Sequence, residues 1–87
     1  MSLIAADPTS LLTERERRVL FVFDGDAWIR QRDVLRLARM DTQTCGLTLR
    51  RLRATGYIEA DLLVRPGRGQ PAHVYRLTAR GRVARGL

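Results

Sequence analysis

The apolar positions fall into three helical stretches followed by two alternating ones. Thr13, with Glu16 three residues on and the unbroken run Val19-Leu20-Phe21-Val22-Phe23 behind it, predicts a helix that opens on a reciprocal cap and continues to about Phe23. Five consecutive apolar residues exceed the stripe that one helix face needs, so the surplus calls for a cover. Leu3, Ile4 and Leu11 of an N-terminal arm (1–12, set off by Pro8) can supply it, and so can a second copy of the chain. Asp24-Gly25-Asp26 is a turn without the further oxygen ligands of a calcium loop. Trp28-Ile29 then reads either as a very short strand or as the start of a second helix over 32–39, whose Val34, Leu35 and Ala38 share one face.

Asp41 is a good N-cap for a third helix that reaches Thr55 and is stopped by Gly56 in the left-handed region. Its inward stripe is Cys45, Leu49 and Leu52, which leaves Thr42, Gln43, Gly46, Leu47, Arg50, Arg51 and Arg53 facing outward. Beyond Gly56 the period becomes two. Ile58, Ala60, Leu62 and Val64 form the buried face of a strand and Tyr57, Glu59, Asp61 and Leu63 its other face. Pro66 to Pro71 make a loop, Ala72–Leu77 a return strand, and Thr78 caps a last helical turn over 79–84 that Gly81 weakens. The expected fold is therefore a small α+β domain over 13–87, a three-helix bundle followed by a two-stranded hairpin and a short C-terminal helical turn.

Charge adds direction to this frame. Sixteen basic residues, all Arg, face nine acidic ones, for a net charge of +7 and a sequence pI near 11.4. Residues 1–47 balance seven Arg against seven carboxylates, whereas residues 48–87 hold nine Arg against Glu59 and Asp61 alone. A surface polarised in this way concentrates a polyanion, and nucleic acid suits it better than a small acidic metabolite. Use of Arg in place of Lys throughout fits GC-rich coding as well as bidentate recognition of phosphate and guanine.

Run Leu49-Arg50-Arg51-Leu52-Arg53-Ala54-Thr55-Gly56-Tyr57-Ile58 resembles the end of the recognition helix and the first wing strand of winged helix-turn-helix regulators of the MarR and PadR type. Segment 67–81, GRGQPAHVYRLTARG, is similar to their wing and its exit, and the likeness covers residues 13–85 in element order. The resemblance implies a sequence-specific binder of double-stranded DNA that regulates transcription. Helix 42–55 would lie in the major groove and the 65–71 wing, with Arg65, Arg68 and Gln70, against the backbone or minor groove. Gln43 and Arg50 have the side chains that read adenine and guanine edges bidentately, while Thr42, Arg51 and Arg53 suit phosphates. Gly46 allows close approach of DNA or of another helix, and Leu47 suits a thymine methyl or a protein partner. Little chain follows Val83, where these families usually dimerise through flanking helices, so a monomer or a homodimer through the arm and first helix is expected.

The remaining chemistry is sparse. Cys45 alone gives no disulfide framework, His73 alone no metal cluster, and no paired carboxylates, activated nucleophile or phosphate loop can be assembled, so no enzyme, metal or cofactor is expected. No apolar run approaches a membrane span and no signal-peptide pattern opens the chain, which makes a cytoplasmic protein the expectation. The competing function is a winged-helix protein–protein interaction module or an architectural factor of a mobile element.

Overall fold

A computed structural model describes residues 12–63 and 71–87. In chain order these form α1 (Glu14–Leu20), β1 (Ile29–Arg30), α2 (Gln31–Ala38), α3 (Thr42–Ala54), β2 (Ile58–Leu63), β3 (Ala72–Leu77) and α4 (Ala79–Arg85). Among the described residues the architecture is thus four helices and one three-stranded antiparallel sheet of order β1-β3-β2, compatible with a winged helix. No described helix is long and apolar enough to cross a membrane.

The capping box forms as the sequence requires. Glu16 N–H donates to Thr13 Oγ1 at 3.1 Å, and Thr13 N–H donates to Glu16 Oε1 at 2.9 Å. The helix ends at Leu20 and not at Phe23, because Val22 and Phe23 N–H turn to the carbonyls three residues back, at 3.0 and 3.2 Å. That tighter turn shifts the phase of the chain. Val19, Leu20 and Phe23 all reach the core, and the apolar surplus shrinks to Phe21, 49% exposed, with the Arg85 guanidinium 4.4 Å above its ring. Leu12, assigned by sequence to the arm, is buried in the same core.

Between α2 and α3 the chain reverses through Arg39, which takes left-handed φ +56° although it is not a glycine. Met40 N–H then bonds Leu35 O at 3.0 Å and closes the end of α2. Asp41 caps α3 by accepting Thr44 N–H at 2.7 Å and the Thr44 hydroxyl at 3.1 Å. At its other end Gly56, with φ +83°, donates to Arg53 O at 3.1 Å and Tyr57 to Leu52 O at 2.9 Å, the paired closure of a helix that stops on glycine. This closure turns Tyr57 inward. It is buried against the core, contrary to the alternation that put it on the outer face, because it precedes β2 and does not share the pleat.

The short-strand alternative for Trp28-Ile29 is the one realised, shifted by one residue: Ile29 pairs with Tyr75 and Arg30 with Val74. The hairpin ladder runs from Ile58↔Leu77 to Leu63↔Ala72. Ile58 is buried and Ala60 half-buried as expected, but Leu62 is 50% exposed because the ladder extends past the helices that would cover it. Val64 lies outside the described residues. Thr78 caps α4 by accepting Gly81 N–H at 3.1 Å and donates its own hydroxyl to Gly56 O. Gly81 is buried, and a Cβ there would come 1.9 Å from Tyr57 O. The glycine that weakens α4 by propensity is therefore what lets α4 close on the end of α3.

Candidate nucleic-acid interface

At about 100° per residue, the buried Cys45, Thr48, Leu49 and Leu52 define the inward side of α3. Thr48 is tolerated there because its hydroxyl donates to Thr44 O at 2.7 Å. Directly opposite runs the line Gln43, Leu47, Arg50 and Ala54, all exposed. Thr42, Gly46 and Arg53 border that line on one side and Arg51 on the other. Seven of the ten residues singled out from sequence thus stand together on one helix face, while Arg65, Arg68 and Gln70 lie outside the described residues. Gln43 and Arg50 are separated by about 10 Å along the axis, close to three base steps of a duplex.

The arginines divide into two groups that composition alone does not separate. Arg76 pairs with Glu59 at 3.2 Å and lies 4.4 Å over the Trp28 ring. Arg82 pairs with Asp26, and Arg36 with Asp33 at 3.1 Å. Arg80 lies 4.6 Å over the Tyr57 ring and donates to its hydroxyl at 3.2 Å. With Arg85 on Phe21, four of the nine C-terminal arginines are engaged by side chains of the fold itself. By contrast Arg50, Arg51 and Arg53 make no ion pair with a described residue, and α3 carries no carboxylate. Asp41 directly precedes α3, and the Thr44 N–H and hydroxyl hold its carboxyl below the usual carboxylate range, while Glu59 beyond the helix is paired with Arg76.

Two grooves flank the exposed line of α3. The wider, about 1070 Å³, lies between α3 and α1 and is bordered by Arg15, Arg18, Arg50 and Arg51 together with Glu14 and Glu16. The narrower, about 430 Å³, lies between α3, the start of α2 and β3, with Gln31, Arg53, His73 and Tyr75 on its walls. Leu47 and Arg50 border both, so they form the ridge between them. Tyr75 donates its hydroxyl to Gln31 Oε1 at 3.2 Å and ties β3 to α2, and burial pushes its phenol up. Behind the ridge Cys45 is fully buried, and that burial pushes its thiol up as well. Arg15, Arg18, Gln31, His73 and Tyr75 were not singled out from sequence. They reach α3 only through tertiary packing, Gln31 and Tyr75 from 44 residues apart.

Gly46 is spacious. A Cβ there would meet only Gln31 Nε2, at 3.8 Å, so no helix of the described fold demands a glycine at this position. Among the described residues no three His, Cys, Asp or Glu side chains gather as a metal site. No family model, no curated protein and no solved structure matches this chain.

Proposed function

We propose that this chain is a winged helix-turn-helix protein that binds double-stranded DNA with sequence preference and acts as a transcriptional regulator. The observation that carries the reading is the exposed face of α3, where Arg50 stands in a line with Gln43, Leu47 and Ala54, Arg51 and Arg53 border that line, and none of the three arginines has a carboxylate partner among the described residues. A helix with its side chains is about 10–12 Å across and the major groove is about 12 Å wide, so α3 fits there as a unit. Arg50 donates in a fork to guanine O6 and N7, Gln43 pairs with an adenine edge, and Leu47 meets a thymine methyl. Gly46 keeps the backbone of α3 near the base edges. Arg51 and Arg53, on either side, contact phosphates, and the segment 65–71 adds a contact on the backbone or in the minor groove.

The test is selection of preferred sites from random duplex DNA, followed by titration of the winning duplex across salt. An enriched site of a few base pairs and a slope of log K against log salt near −0.9 for each phosphate contacted are expected. One half-site would indicate a monomer, and two related by a dyad a homodimer. No enrichment together with no salt dependence would overturn the proposal in favour of a protein-binding module.

A further inference from the structure

The N-terminal arginines balance their acidic neighbours in number, but the groove between α1 and α3 uses them differently. Glu16 is committed to the cap of α1, where it accepts Thr13 N–H and is 8% exposed. Arg15 and Arg18 make no ion pair with a described residue and border the groove opposite Arg50 and Arg51. Four guanidiniums thus border an open groove whose lining acids are one tied carboxylate and the exposed Glu14, with the Asp41 carboxylate, already committed to the cap of α3, near enough to Arg15 to feel its charge.

We infer that α1 is a second DNA-contacting element, in which Arg15 and Arg18 hold phosphates of one strand while α3 reads the bases. The inference rests on the reading of α3 proposed above and extends it. A helix that fills the major groove has a sugar–phosphate backbone along each flank, so whatever stands beside it meets phosphate. On one flank of α3 that neighbour is the Arg53, His73 and Gln31 wall, and on the other it is α1. Val19 and Leu20, both fully buried, anchor α1 in the core that α3 shares, so its arginines have a fixed base. Phosphate contacts of this kind set register and affinity without carrying base information.

Arg17 supplies the control. It is exposed on the same helix and carries the same charge, but it does not border the groove. Arg15→Ala, Arg18→Ala and Arg17→Ala are each titrated on the selected duplex and on a scrambled one across salt, with melting temperatures measured alongside. Arg15→Ala and Arg18→Ala should each weaken both duplexes by the same factor, flatten the salt slope by about one unit and leave melting unchanged. Arg17→Ala should do markedly less. The inference falls if Arg15→Ala and Arg18→Ala bind like wild type, or if Arg17→Ala matches their effect, which would make the effect one of net charge. Should wild type bind duplex DNA and Arg50→Ala alter its base preference while the α1 variants change nothing, only this inference fails. Should wild type not bind duplex DNA, the reading of α3 fails with it.

Discussion

Two glycines within helices should respond to alanine with opposite signs. At Gly81 the added Cβ would lie 1.9 Å from Tyr57 O, 3.0 Å from Tyr57 C and 3.1 Å from Leu77 Cδ2, and the nearest atoms are backbone, which cannot rotate aside. Relief requires α4 to move away by about 1 Å or more, with an overpacking cost of about 1–3 kcal/mol. The same movement stretches Thr78 N–H to Tyr57 O, now 3.2 Å, and the Thr78 hydroxyl bond to Gly56 O. Helix propensity returns about 1 kcal/mol, which does not offset these losses. At Gly46 the nearest atom is Gln31 Nε2 at 3.8 Å, an ordinary contact, so propensity acts alone and stabilises by up to about 1 kcal/mol. Thermal unfolding followed by circular dichroism reads both, at about 4–8 °C per kcal/mol for a domain of this size. Gly81→Ala should melt well below wild type and Gly46→Ala at or above it. A Gly81→Ala protein as stable as wild type, or a Gly46→Ala protein clearly less stable, would refute the packing argument. Under the proposed function Gly46→Ala should also bind the selected duplex more weakly in spite of its stability, since its methyl group stands on the side of α3 assigned to the bases.

Asp41→Ala should lower stability at neutral pH by removing the cap of α3. Because hydrogen bonds hold its folded pKa below the usual value, Asp41 contributes above the ordinary carboxylate range, and that contribution is lost as the pH falls through the depressed value. Urea denaturation in neutral and in strongly acid buffer should show the deficit shrinking in acid. Arg39→Gly should raise the melting temperature modestly, since Arg39 occupies left-handed φ +56°, where glycine carries no Cβ penalty.

Local signals were legible in the sequence. The Thr13–Glu16 box, the Asp41 and Thr78 caps and the Gly56 stop each act over three or four residues, and each forms at the position read from the chain. The outward face of α3 followed from the period of Cys45, Leu49 and Leu52. What the sequence hid is set by distant contacts. The early end of α1 depends on placing Phe23 in the core, and the inward turn of Tyr57 on the closure that follows Gly56. Leu62 is exposed because strand pairing outruns the core, a matter of sheet length that alternation does not encode. Gly81 looked like a weak helix position because propensity is local, whereas its reason is the Tyr57 carbonyl, 24 positions back in the chain. Composition treats the nine C-terminal arginines alike, and only the contacts of Arg76, Arg80, Arg82 and Arg85 separate those engaged within the fold from those that α3 presents.

The most direct test of α3 as the reader is the ratio of affinities for selected and scrambled duplex, measured for wild type and for Arg50→Ala at one salt concentration. Wild type should prefer the selected duplex. Arg50→Ala should lose about 1–3 kcal/mol on that duplex, relax the preference at one base pair and change little on the scrambled one. A wild type with no preference, or an Arg50→Ala protein whose ratio equals that of wild type, would contradict the assignment of α3 to the bases.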